Sequence, residues 1–229
     1  MHRLLLHLGV GLSLIATSAC GTEPTLPLAI AAARNAADLV RALLLEHHNP
    51  NQRDAHGLTP LMWAARAGAV DAMTTLLDGG ADPGARDLLN GWTPLFHAIH
   101  QRQPGAVRLL LDRGVDPNGA ARRLRPLAMA AADRDPTIVQ LLLARGADPN
   151  ARGIGGSTAL SIAVSGGALT DLDRPLFGGC HPATVRALLA HEPTLRLPET
   201  IAGREALWWA RFHGCAEVLA LVDAGKATG

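Results

Sequence analysis

The 229-residue sequence contains no tyrosine, three phenylalanines and four tryptophans, so aromatic residues make up only 3% of it. That is too few rings for the core of an aromatic-rich β-sandwich. Lysine is almost missing as well: of 21 basic residues only Lys226 is a lysine, a bias we attribute to a GC-rich bacterial genome. Charge of one sign is not in excess, since the formal net charge is +1, and no overall field exists to attract nucleic acid. There is no Gly-Lys-Ser/Thr phosphate loop, and Gly153-Ile-Gly-Gly156 lies in a hairpin rather than between strand and helix. No serine is framed as a nucleophile elbow, and Ser161, Ser165 and Asp171 converge on no recurring base. What is present is alanine and leucine, the main part of a 48% apolar content that favours small, tightly packed helices. The chain is long enough to bury a substantial core.

The first nineteen residues read as a targeting segment. Arg3 gives a positive start, Leu4 to Ile15 form an apolar run broken by His7, and Ala16-Thr-Ser-Ala19 lead to Cys20. The run is shorter than the roughly 20 residues a membrane-spanning helix needs. Its ending resembles the bacterial lipoprotein signal, in which small residues precede a cysteine that takes lipid and becomes the first residue. Thr17 stands where that pattern most often has leucine. The resemblance implies lipidation at Cys20 and, with Gly21 next, anchoring at the outer membrane. Ordinary cleavage near Ala19, releasing a soluble exported protein, is the alternative. Residues 20–27 would form a short tether.

Comparing the chain with itself exposes a period. Leucine pairs recur at Leu76-Leu77, Leu110-Leu111, Leu142-Leu143 and Leu188-Leu189. Ahead of them stand GLTPLMWAA at Gly57, GWTPLFHAI at Gly91, LRPLAMAAA at Leu124 and GSTALSIAV at Gly156. Behind the first three come GGADPGA at Gly79, GVDPNGA at Gly114 and GADPNAR at Gly146. Threonine caps the first helix and proline presets its first turn. Gly80, Gly114 and Gly146 suit the left-handed turn that closes the second helix, after which Asp-Pro turns the chain outward.

This grammar resembles the ankyrin repeat. The resemblance implies an all-α solenoid of stacked helix-turn-helix units joined by β-hairpin-like loops, with residues 28–225 as one domain. Its parts would be an N-terminal cap at 28–50, repeats at 51–85, 86–119, 120–151 and 152–197, a C-terminal cap at 198–225 and a tail at 226–229. The fourth repeat carries a surplus, Ala168 to Cys180, that reads either as a contact arm or as a tolerated surface insertion. The histidine usual after Thr-Pro-Leu is replaced by Met62, Phe96, Ala128 and Ser161. That substitution weakens a hydrogen bond between helix and hairpin.

In GWTPLFHAIH the two histidines, His97 and His100, have a spacing that can hold metal. His97, however, falls in a slot filled by Trp63, Met129 and Ile162 in the other repeats, so it reads as a packing residue. No cysteine or carboxylate recurs beside the pair, and a closed zinc site takes about four ligands. We therefore expect no metal, no other cofactor and no small-molecule substrate. Cys180 and Cys215 fall just before the second helices of adjacent units. They are expected either to form a disulfide or to remain two buried thiols.

Ankyrin proteins bind macromolecules, usually proteins, through hairpin tips and the first-helix face. Carried over residue by residue, that implies a contact set of His56, Leu58, Arg66, Leu88, Leu89, Trp92, His100, Gln101, Arg122, Leu124 and Asp133. Leu88, Leu89 and Trp92 stand out because hairpin tips are normally polar; alternatively, Trp92 folds back on Leu124. The expected protein is a non-enzymatic, exported, lipid-anchored periplasmic scaffold with an unidentified protein partner and no nucleic acid. Some bacterial ankyrin proteins are linked to peroxide resistance, which implies an accessory role toward an exported protein. An immunity protein against a delivered toxin fits equally well. A hydrolase with its site on the 168–180 insertion is the reading from a different class.

Overall fold

The computed structural model describes residues 23–166 and 180–227, with side chains given throughout except at 154 and 225–227. The targeting segment, Cys20 and all of the 168–180 insertion but Cys180 lie outside the described residues. Within them are twelve α-helices. They are α1 (Pro27–Ala33), α2 (Ala37–Leu45), α3 (Pro60–Ala67), α4 (Val70–Asp78), α5 (Pro94–His100) and α6 (Pro104–Asp112). They continue with α7 (Pro126–Ala132), α8 (Pro136–Ala144), α9 (Ala159–Ser165), α10 (Pro182–His191), α11 (Ile201–Phe212) and α12 (Ala216–Ala227). Odd-numbered helices stack on one another as an inner column from α1 to α11, and even-numbered helices form an outer column beside them. Each helix touches its pair-mate and the corresponding helices of neighbouring pairs, which is the contact pattern of a one-dimensional solenoid. No β-strand occurs among the described residues, and the third hairpin keeps one isolated bridge, Ala121 to Leu124.

Local chemistry sets the helix ends. Proline opens α1, α3, α5 and α7, where its missing N–H costs nothing. Thr59 accepts the Met62 amide and Thr158 accepts the Ser161 amide. The side chains at the third helical position reciprocate: Ser161 Oγ accepts Thr158 N at 2.9 Å and Met62 Sδ accepts Thr59 N at 3.4 Å. The bond expected to weaken with the missing histidine is thus remade in two repeats by other atoms. Thr93 departs from expectation, because its hydroxyl makes no cap; Phe96 at its third helical position has no atom to reciprocate. Beyond each inner helix the chain turns once through a left-handed residue: Asn35, Gly68, Arg102, Arg134, Gly166 and Gly214.

The apolar side chains between the columns form one continuous core, with Leu61, Met73, Leu76, Phe96, Ile99, Leu110, Ile138, Leu142 and Leu160 fully enclosed. Polar ladders cross the same boundaries. Asn51 donates to Gly80 O at 3.1 Å and accepts Asp82 N at 2.7 Å. Asn118 repeats this two boundaries later, toward Gly146 O at 2.9 Å and Asp148 N at 2.8 Å. At the boundary between them the corresponding residue is Gly84. There a cavity of about 350 Å³ opens, lined by Gly84, Gly114 and Asp116, the groups an asparagine would reach. Gly84→Asn is therefore expected to raise the thermal midpoint. Two new hydrogen bonds and a stiffer unfolded chain should add about 1–2 kcal/mol. Its Cβ would sit 3.3 Å from Asp82 Oδ1, but the matching Asn118 backbone already accommodates Asp116 Oδ1, with its amide donating at 2.8 Å. Differential scanning calorimetry of the variant checks this.

On the outer column, Arg113 pairs with Asp78 at 2.9 Å, Arg145 with Asp112 at 2.5 Å, and Arg186 with Glu217, each linking one repeat to the next. Such exposed pairs contribute at most about 1 kcal/mol each. Cys180, just ahead of α10, and Cys215, just ahead of α12, form a disulfide with their Cα atoms 5.2 Å apart.

Candidate protein-binding surface

The hairpin arms are held by buried acids. Asp54 Oδ2 accepts the Trp63 indole N–H at 2.8 Å, and its Oδ1 accepts the amides of His56 and Leu58 at 2.9 and 3.1 Å. One repeat on, Asp87 Oδ1 accepts the amides of Asn90 and Gly91, while Oδ2 lies 3.0 Å from His97 Nε2. In register with these acids stand Ala121 and Gly153, as the hairpin bonds from Asp54 N, Asp87 N, Ala121 N and Gly153 N show. Where the acid is present, the inner helix offers Trp63 or His97. Where it is absent, the same slot holds apolar Met129 or Ile162. The slot is therefore a paired position, polar only when the hairpin supplies a carboxylate.

His97 is thus buried as expected but is not merely packed. Nor are the histidines without carboxylates, because Asp87 meets His97 and Asp133 Oδ2 lies 3.8 Å from His100 Nδ1. Sequence spacing hid both acids: one arrives from the hairpin and the other from the next helix pair. No group of three His, Cys, Asp or Glu side chains with metal-holding geometry occurs among the described residues.

Burial would raise the Asp87 pKa, but the His97 contact and the Asn90 and Trp92 backbone groups outweigh it and hold the pKa at about 2. Burial lowers the His97 pKa, and Asp87 offsets that only in part. A carboxylate held low contributes stability that is present above its unfolded value and lost below it. A histidine held low resists protonation when folded, so stability also falls as pH drops below about 6.5. His181, lowered by burial and by Arg134 and Arg102, acts in the same direction. The thermal midpoint should therefore fall as pH is lowered from 7.5 toward 5.5. His97→Gln keeps a donor for Asp87 without titrating, and calorimetry should show a shallower decline.

The tips of the hairpins form a connected row. Leu88 and Leu89 stand 72% and 68% exposed. Leu88 lies against Gly57 of the preceding tip, where even a Cβ would come within 2.9 Å of it. Arg122 reaches back from the third hairpin to donate to Leu89 O at 2.8 Å. Arg86 donates to Gly91 O and to Ala120 O, tying the second and third arms together. Beneath the tips, half-buried Trp92 lies over its own helix, with His97 and His100 edge-on at 5.6 and 5.1 Å and Phe96 stacked at 6.4 Å. Arg66 sits 5.2 Å above the Trp63 ring, with His56 at its edge.

Of the expected contact residues, His56, Arg66, Leu88, Leu89, Trp92, His100, Gln101 and Arg122 are exposed or half-exposed. Leu124 is half-buried and packs against the core. Two residues are corrected. Leu58 is 5% exposed, packed with Ala29, Met62 and Trp63, because its position in the arm points inward. Asp133 is 6% exposed, since it caps α7 and turns its carboxylate toward His100. Sequence reading missed Asp54 and Asp87. Their one signal is the Arg-Asp dipeptide repeated at Arg53-Asp54 and Arg86-Asp87, whose arginines also recur in role: Arg53 donates to Gly57 O as Arg86 does to Gly91 O.

Comparison with known families agrees with this architecture. A family model described as ankyrin repeats (3 copies) matches residues 6–87 and 28–121, and one described as ankyrin repeats (many copies) matches residues 119–163. No curated protein matches the chain. Stacked helix pairs, hairpin arms in register and both family matches lead to one conclusion: the chain belongs to the ankyrin-repeat family.

Proposed function

We propose that the protein is a non-catalytic scaffold that binds a protein partner along its hairpin row, centred on Leu88 and Leu89. The observation that carries this reading is the pair of exposed leucines on a hairpin tied to the next hairpin by two arginine bonds. Isolated surface leucines need no explanation, but two adjacent ones on an immobilised tip, rimmed by Arg86, Arg122 and Trp92, match the anchors of protein interfaces. Fixing the tips before binding limits the ordering entropy lost on association. The targeting segment supports export with lipidation at Cys20, which would hold the scaffold near a membrane in the periplasm. An accessory role toward an exported protein is the reading we favour; the identity of the captured partner separates it from toxin neutralisation.

Site-specific photo-crosslinking in the producing cell tests the surface. A photo-reactive residue at position 88 should trap a discrete protein adduct, while one at Arg108 on the outer column should trap none. Equal trapping at both positions would remove the hairpin row from consideration.

A further inference from the structure

Three arms of the solenoid share one turn. The side chains of Asn49, Asp82 and Asp116 each accept the amide two residues on, from Asn51, Gly84 and Asn118, at 2.9, 2.8 and 2.8 Å. Positions 51, 84 and 118 are therefore equivalent. At two of them an asparagine bridges to the following arm. Its side-chain nitrogen donates to a glycine carbonyl, and its side-chain oxygen accepts the amide of an aspartate two residues beyond that glycine. Gly84 has no side chain to do this. The groups it would meet, Gly114 O and Asp116 N, bond to no other protein group among the described residues. The cavity of about 350 Å³ opens beside them.

We propose that this cavity is a binding site for a primary carboxamide, the group that asparagine and glutamine side chains carry. The ligand takes the place that Asn51 and Asn118 fill from within at the flanking boundaries. The receiving carbonyl and amide belong to one short segment, 114–116, so the ligand must donate and accept along a single edge. A primary carboxamide has an N–H cis to its oxygen and does both. A trans peptide group points its N–H and C=O in opposite directions. A carboxylate only accepts, and an ammonium or guanidinium only donates. Pro83 and Val115 line the same cavity and offer apolar surface to the carbons that carry the amide. The Thr93 hydroxyl, which makes no helix cap, is at hand there as a further polar contact. The volume stands at the lower end of the roughly 300–1,000 Å³ typical of small-ligand sites. It therefore has room for a residue-sized ligand as well as its amide.

Nuclear magnetic resonance of the isotopically labelled full chain reads the site at the Asp116 amide. Titration with N-acetyl-asparagine N-methylamide should shift that resonance saturably, with a Kd of about 1–10 mM. The leucine analogue has a similar shape but no side-chain donor or acceptor, and should bind at least about tenfold more weakly. Gly84→Asn should lose the response, because its own amide fills the place. Gly84→Ala adds only a methyl group and should keep the affinity within about threefold. Free asparagine, titrated in parallel, separates two sources of the same group. Tighter binding of the capped form assigns the site to a partner protein's side chain, and tighter binding of the free amino acid to a metabolite; either result supports the carboxamide site. Shifts that stay linear with both amides would overturn the proposal. So would a leucine analogue as tight as the asparagine one, or an undiminished response in Gly84→Asn.

Discussion

Asp54→Ala is expected to lower the free energy of unfolding by about 3–4 kcal/mol, the largest effect we anticipate from any single polar residue. The substitution leaves three donors without their acceptor: the Trp63 indole N–H and the amides of His56 and Leu58. Each orphaned buried donor costs about 1–3 kcal/mol, although the half-exposed His56 can recover a bond to water. Asp54 is itself 8% exposed, so little solvent is at hand for the others. Asp54→Asn keeps one side-chain acceptor for the two amides and should lose about half as much. Asp78→Ala removes only an exposed ion pair to Arg113 and should cost under about 1 kcal/mol. Urea unfolding followed by circular dichroism measures all three. If Asp54→Ala proves no worse than Asp78→Ala, the buried acid does not anchor the arm.

Removing the Cys180–Cys215 bond should cost a similar amount by a different route. The two residues are 35 apart in sequence, and freeing a loop of that length restores about 4 kcal/mol of unfolded-chain entropy. Cys215 is 4% exposed and occupies the slot of buried Ala69, so Cys180→Ser/Cys215→Ala removes the bond without placing a hydroxyl in the core. Because each repeat of a solenoid touches only its neighbours, the loss should concentrate in α10 to α12 and appear as an early, separate melting step. Two additional thiols should titrate only after reduction. An unchanged thiol count and a single unshifted transition would show that the terminal repeats are held without the bond.

The period and the helix pairs were legible because each repeat restates the same punctuation. Thr-Pro or Arg-Pro opens an inner helix, paired leucines mark the outer one, and Gly-Ala-Asp-Pro closes the unit. The exposed leucines were legible too, because apolar residues contradict the polar tip around them. What escaped notice depends on partners distant in the chain. Nothing near His97 announces Asp87, and nothing near His100 announces Asp133. Leu58 and Leu88 are both hairpin leucines, and only the pairing of the arm determines that the first turns inward while the second turns out. Thr93 looks identical to Thr59 in sequence, yet its hydroxyl makes no cap, and Phe96 has no side-chain atom to return the bond that Met62 gives Thr59. Arg102 and Arg134 adopt left-handed turns filled elsewhere by glycine or asparagine, and propensity alone would not place arginine there.

The most direct test of the account is a comparison of Leu88→Asp/Leu89→Asp with the unaltered chain, in both binding and melting. Against the protein trapped at position 88, the variant should bind at least about 100-fold more weakly, as expected when two interface anchors become charged. Its thermal midpoint should be unchanged, because both side chains are exposed. Undiminished binding at an unchanged midpoint would contradict the account, and the partner site would then have to lie elsewhere on the solenoid.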